Sequence, residues 1–418
     1  TNGSNFTYKE SIVTLRIGII GAGANTRLQH IPGFRSIPDV EITAVCNRSL
    51  TSSQRAAEEL DIPYAFEDWK ALVHSDSVDA ACIGTWPYMH CPISLEALSA
   101  GKHVLTEARM CMNLAEARQM QAAAVASDAV AMIVPAPMYL AAEPLLLKML
   151  EDGFFGDLIE VEVRGLGGVY NPDTPLHWRQ RRDFSGQNIM TLGILNETVS
   201  RYAGHEKHVL ANSATFTAER VDSESGSVRP VDVPDSLGVL AELENGAQAV
   251  YHLSSVARLG DGSTFEFYGT KGSFKMEGGS AIEPGRVWIA GSDDVSYRPL
   301  EVPELPRNAW RVEEDFIDAI LQGRAVTHTH FDDGVRYIQA PLAYPEERKH
   351  MSDLTGEVMG KTGPQEPLLI YETDGSVVGD TTSGVSGRTC SPCARVGHRD
   401  QDGEQFQECL SELSDEGS

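Results

Sequence analysis

The sequence predicts an α/β fold: an N-terminal Rossmann unit with a doubly wound parallel sheet, followed by a C-terminal α+β unit with an open, mostly antiparallel sheet. Three observations predict it. An apolar strand, Arg16–Ile20, runs into a glycine turn and then a helix-compatible stretch; strands and helices alternate as far as Pro135; beyond it the texture becomes strand-rich. The expected units are residues 13–135, a dinucleotide-binding domain; 136–345, a substrate-binding and oligomerisation domain; and 346–418, an acidic Gly/Ser-rich tail of weak order.

In the first unit, strands are expected at Arg16–Ile20, Val40–Cys46, Val78–Gly84, His103–Thr106 and Ala129–Val134. Ser52–Leu60 reads as a helix, and Pro92 and Gly101 bracket another at Ile93–Ala100. Asn113 with Glu116 opens an Ala-rich helix ending near Ser127. In the second unit a helix at Ala141–Glu151 precedes strands at Leu158–Arg164, Ser236–Glu244, Ala247–Ser254 and Thr264–Tyr268. Val312, Phe316, Ile317, Ile320 and Leu321 recur at helical spacing up to Gly323.

Hydrophobic residues make up 41% and charged residues 22%, the balance of a globular protein. The net charge of -26 argues against nucleic acid or an anionic membrane as partner, since both demand Lys and Arg. No run of about 18 apolar residues spans a bilayer, and Thr1 to Thr14 lacks an apolar leader core, although a removed leader stays open. Cys46, Cys82, Cys91 and Cys111 lack paired spacing, as expected of reduced thiols in a cytoplasmic setting. Cys390, Cys393, His398 and Cys409 depart from zinc spacing, so no metal is expected.

Gly21, Gly23 and Thr26 stand where a Gly-x-Gly-x-x-Gly fingerprint stands, with the last glycine replaced. The first glycine permits the turn, and the second lets the backbone of Ala24 and Asn25 approach a pyrophosphate at the helix N-terminus. After the second strand come Asn47 and Arg48 where a ribose-binding carboxylate is usual. A guanidinium there suits a 2'-phosphate, so NAD(P) is expected with NADP slightly favoured.

With these residues in place, the chain resembles the glucose-fructose oxidoreductase / inositol dehydrogenase / MocA (Gfo/Idh/MocA) family across roughly Leu15 to Ala340. The likeness rests on RIGIIGAGA at 16–24, on Thr85, Pro87 and His90, on AGKHVLTE at 100–107, on YGTKGSF at 268–274 and on FDDGVRY at 331–337. It implies a nicotinamide held between the domains, a carbohydrate substrate (sugar, sugar acid or polyol), and a homodimer or homotetramer joined through the second sheet. By the same resemblance Thr85, Pro87 and His90 line the cofactor and Glu107 sits near the nicotinamide ribose.

The chain departs from the family where protons move. Ala108 and Arg109 replace the usual Lys-Pro, and Thr191, Gly193 and Leu195 occupy an Asp-x-Gly-x-His segment. A positioned acid or base contributes ~10²- to 10⁴-fold in rate, so a substitute is needed. The candidates are His177, Glu197 and Asn188 as a non-standard proton relay, with Thr191 beside them and Arg109 as an anion clamp. Trp178, Arg179 and Tyr139 are candidate substrate contacts. Three activities remain open: net oxidoreduction; a lyase, hydratase or glycosidase working through transient oxidation; and an inactive nucleotide sensor.

Overall fold

The computed structural model describes residues 14–137, 141–168, 170–186, 188–279, 285–301, 310–326, 328–339, 370–372 and 377–379. Six parallel strands form the first sheet: β1 (Leu15–Ile20), β2 (Val40–Cys46), β3 (Tyr64–Phe66), β4 (Ala80–Ile83), β5 (His103–Thr106) and β6 (Ala131–Ile133). Their order is β3-β2-β1-β4-β5-β6, so the winding reverses between β1 and β4 and opens a crevice at their carboxyl ends. Helices on both faces explain why Ile17, Ile19, Ala80, Ala81 and Ile83 are all buried in unbroken apolar runs.

A π-helical turn, Thr26–His30, follows the glycines and runs into α1 (Ile31–Ser36); then come α2 (Leu50–Leu60), α3 (Trp69–Val73), α4 (Pro87–Ser99) and α5 (Leu114–Val125). Ser49 caps α2 in a reciprocal box with Ser52, and Asn113 caps α5 by accepting from the Glu116 amide at 3.0 Å. The helix expected at Ile93–Ala100 instead starts at Pro87, and Pro92 lies inside it. Pro87 suits the first helical position, where no amide bond is needed, and packing of Cys91, Ile93, Ala97 and Leu98 carries the helix past Pro92. β3 and α3, three and five residues long, are too short to show periodicity.

The second unit begins with α6 (Glu143–Glu151) and β7 (Leu158–Leu166), followed by α7 (Leu192–Ala203). Strands β8 (Glu206–Ala214), β9 (Glu219–Val221), β10 (Val228–Pro230), β11 (Ser236–Leu243), β12 (Gln248–Ser254), β13 (Gly262–Gly269), β14 (Gly272–Glu277), β15 (Arg286–Gly291) and β16 (Arg298–Leu300) come next. Within the ten-stranded sheet every pairing is antiparallel except β7 with β12, while β9 and β10 form a separate hairpin. Leu195, Val199 and Tyr202 of α7 share one core with Val161, Val163, Tyr251, Phe265 and Phe267 of the sheet.

The chain then returns to the first domain. Helix α8 (Val312–Gln322) packs on α1, with Phe34 and Phe316 edge-on at 6.5 Å, and α9 (Phe331–Gln339) packs on α5 and α7. The Ile133 amide reaches the Thr329 carbonyl at 3.0 Å, extending the edge of β6. From the expected tail, β17 (Ile370–Glu372) and β18 (Val377–Gly379) are described; β17 pairs with β8 through Tyr371 and Val209. Cys390, Cys393, His398 and Cys409 lie outside the described residues. Among those described, no helix is long and apolar enough to cross a membrane.

Because Phe316 is fully buried at this return contact, Phe316→Ala should destabilise the protein by about 3–5 kcal/mol. Urea unfolding followed by circular dichroism measures it; a change under about 1 kcal/mol would show that α8 does not hold the first domain.

Candidate functional site

The crevice between β1 and β4 is a cleft of about 700 Å³ lined by Gly21, Gly23, Asn47, Arg48, Thr85 and Trp86, among others. Gly21 has φ +90° and lies so close to the next strand that a Cβ would come within 2.8 Å of the Gly84 carbonyl carbon and the Thr85 amide. Gly23 is different: a Cβ there would meet nothing nearer than the Gly84 oxygen at 3.6 Å. The space over Gly23 is therefore open. Thr26, in place of a third glycine, donates to the Gly21 carbonyl at 3.1 Å and fills the gap above Gly84.

The other expected cofactor residues divide into lining and bracing. Ala24 and Asn25 are exposed on the turn, and Asn25 donates through Nδ2 to Glu107 Oε1. Asn47 braces: its Oδ1 accepts the Ala22 amide at 2.9 Å and its Nδ2 donates to the Ser52 carbonyl at 3.1 Å. Arg48 stays exposed, 5.3 Å over the Trp86 ring and 3.5 Å from Glu224 of the second domain. Thr85 lines the cleft, and its buried Oγ1 has no hydrogen-bond partner among the described residues. Pro87 begins α4. His90 is buried, with ring nitrogens 2.9 Å from the Thr85 carbonyl and 3.0 Å from the Arg109 carbonyl. Burial holds its pKa below the usual value against those bonds, which tie two loops together.

Glu107 ends β5 beside the turn and is bound from behind by a residue that sequence reasoning passed over. His30 is fully buried, with Nε2 3.0 Å from Glu107 Oε1 and Nδ1 2.5 Å from Glu313 Oε1 of α8. Trp310 Nε1 donates to Glu313 Oε2 at 2.9 Å. Burial pushes the imidazole pKa down, but the two carboxylates outweigh it and raise it to about 9. For Glu107, burial pushes up and the bond and charge of His30 pull down, leaving it below the ordinary carboxylate value. Glu313 lies 283 positions from His30, so no local signal links them.

The substrate-side candidates are less concentrated than the sequence suggested. Leu195 is packed in the core, and Thr191 stands exposed at the start of α7. Asn188 is buried, with Nδ2 donating to the Cys111 carbonyl at 2.9 Å and also to the Ser185 carbonyl. Glu197 is not brought to the dinucleotide cleft: it lines a second cavity of about 300 Å³ with His205, His328 and Arg336, accepting from Thr329 Oγ1 at 2.5 Å. Its position on the inner face of α7, near the return segment, explains the difference.

Arg109 is buried, donating to the Met190 carbonyl and to Ser185 Oγ at 3.3 Å, and it has no ion pair among the described residues. Burial, then the charge of Arg179, lowers its pKa to about 9. His177 is exposed on a strap, and its Nδ1 accepts the Arg179 amide at 3.2 Å. Partial burial, then Arg179, holds its pKa below the usual value. Trp178 stacks on Trp86 at 5.7 Å, and Arg179 lies 4.2 Å over Trp178, so this strap meets the first domain at the cleft. Tyr139 lies outside the described residues.

A family model described as an oxidoreductase family with an NAD-binding Rossmann fold matches residues 15–134, and one described as the GFO/IDH/MocA C-terminal domain matches residues 145–275. An uncharacterized oxidoreductase of Synechocystis sp. is 29% identical over 63% of this chain and 71% of its own length. Levoglucosan dehydrogenase of Pseudarthrobacter phenanthrenivorans is 25% identical over 62% of this chain and 72% of its own. A solved structure of levoglucosan dehydrogenase with NADH and L-sorbose matches at a TM-score of 0.70 and 22% identity, covering 78% of this chain and 94% of that one; it supports the fold.

The raised pKa of His30 links stability to pH. Its contribution is complete below the unfolded value of about 6.5 and is lost as pH rises through about 9, an effect on the order of 3 kcal/mol. Urea unfolding from pH 6 to 9.5 should show this decline, and His30→Gln should lower stability at pH 6 while flattening the slope. An unchanged slope in that variant would contradict the charged state of His30.

Proposed function

The chain belongs to the Gfo/Idh/MocA family of oxidoreductases, and on that premise we propose that it is an NAD(P)-dependent oxidoreductase of a carbohydrate: a sugar, a sugar acid or a polyol. The observation that carries the proposal is the open space over Gly23 at the topological switch point, beside a Gly21 that only glycine can occupy. The Thr85 hydroxyl at the same cleft, without a partner among the described residues, also fits a polar ligand. Amides of Ala24 and Asn25 would hold the diphosphate over the open space at Gly23. Bound there, a nicotinamide dinucleotide supplies a hydride acceptor or donor.

Each remaining task falls to the chain's own residues. Arg48, exposed beside the capped start of α2, favours the 2'-phosphate of NADP. Trp86 and Trp178 exclude water at the cleft mouth, and Trp178 offers a ring face to a sugar. Arg179 faces the site with Arg109 behind it, which suits an acidic sugar. Relatives named for levoglucosan and 1,5-anhydro-D-fructose support the carbohydrate class. We place assembly into a homodimer or homotetramer on the open face of the second sheet, where exposed Leu240 pairs with Val250. Buried thiols at Cys82 and Cys111, pushed up by burial, suit a reducing, cytoplasmic setting.

A second reading, a lyase, hydratase or glycosidase working through transient oxidation, draws on one observation: Thr191 and Leu195 leave the family's acid/base places without a titratable group. Accumulating NAD(P)H with sugar supports net oxidoreduction; turnover without net reduction supports the second reading.

Because protein atoms leave room at Gly23, Gly23→Ala should fold with a Tm within about 2 °C of the wild type yet lose at least about 10-fold in NADPH affinity by fluorescence titration. Arg48→Ala in the same assay should weaken NADPH about 10-fold and leave NADH unchanged. Undiminished affinity in Gly23→Ala would remove the diphosphate from this turn.

A further inference from the structure

We propose that Glu107 is the proton acceptor of the reaction and that His30 and Glu313 are the positioning residues that hold it in place. The inference rests on the oxidoreductase reading above. The family's proton-moving positions are Ala108, Thr191 and Leu195, none of which titrates usefully, and Glu197 and Asn188 are bound elsewhere. Glu107 stands at the carboxyl end of β5, next to the turn that fits the dinucleotide. Its Oε1 takes both His30 Nε2 and Asn25 Nδ2, while Oε2 carries no hydrogen bond among the described residues and the side chain keeps 17% exposure.

The buried set holds this carboxylate in one orientation through His30, with Oε1 engaged and Oε2 left toward the site. His30 cannot turn away, because Glu313 holds Nδ1, Trp310 holds Glu313, and a Cβ on Gly33 would come within 2.5 Å of Glu313 Oε2. The groups facing the set are Asn25 and His30 from the glycine turn, Cys82 from β4, Trp310 and Glu313 from the return segment, the imidazole of His90 and the guanidinium of Arg179.

In the step proposed, the substrate C–H pair leaves as hydride to an oxidised nicotinamide dinucleotide. The hydroxyl O–H bond breaks, its electrons forming the carbonyl, and the proton goes to Glu107 Oε2. The product is one carbonyl compound, one reduced dinucleotide and one neutral Glu107. An alcohol losing hydride becomes far more acidic than a carboxylic acid, so a carboxylate held below its usual pKa remains a sufficient acceptor.

The test uses the full chain with NAD⁺ or NADP⁺ and a panel of D-glucose, D-glucuronate, levoglucosan and myo-inositol. Glu107→Gln should lower kcat at least about 100-fold at saturating dinucleotide, with saturable NADPH binding still seen by fluorescence titration. Glu107→Asp, which keeps the carboxylate, should recover part of the loss. His30→Gln should move the acid limb of kcat/KM upward, because burial then acts on Glu107 without the imidazolium. A merely structural His30 would lower kcat and leave that limb in place, which overturns the positioning role. Wild-type turnover in Glu107→Gln overturns the acceptor alone. Absence of any dinucleotide-linked turnover in the wild type, with dinucleotide still bound, overturns the oxidoreductase reading and the relay with it.

Discussion

The close approach of Gly21 to Gly84 governs the rest of the structure. At the switch point β1 and β4 leave no room for a Cβ between them, and Gly21 turns there in a backbone conformation that other residues resist. Its amide bonds the Cys46 carbonyl at 2.8 Å, its carbonyl takes the Thr26 hydroxyl, and the next amide bonds Asn47. Three strands are thus tied to one turn. The helix start and the open floor at Gly23 are consequences of that tie, and a cleft of about 700 Å³ follows.

The second domain completes the site from above, and the returning chain completes it from behind. Trp178 meets Trp86 at the mouth, Arg109 grips Met190 and Ser185 across the domain boundary, and Glu313 reaches His30 under the turn. Polar groups buried at these joints are costly unless paired, which makes each a constraint on geometry more than a source of stability. Substitution of the family's acid/base residues leaves the turn untouched because those positions belong to a different element, α7, whose inner face is needed for the core.

Much of the first domain was legible from the residues. Its strands are buried on both faces and so read as apolar runs, and Asn113 marks a helix start by side-chain chemistry alone. Pro92 misled because a proline inside a helix is tolerated when surrounding packing compensates, which is a tertiary fact. In the second domain β8, β14, β15 and β16 went unread, and the parallel β7–β12 pair has no local signature. Within the site, Gly21, Gly23 and Glu107 could be found by motif. His30 could not: its importance comes from Glu313 and Glu107, both distant in sequence.

Isothermal titration calorimetry of the wild-type protein with NADH and with NADPH tests the central claim most directly. The account predicts one dinucleotide per chain at a Kd of about 100 µM or tighter, with quenching of tryptophan fluorescence from Trp86 beside the cleft. No heat and no quenching with either dinucleotide would contradict it.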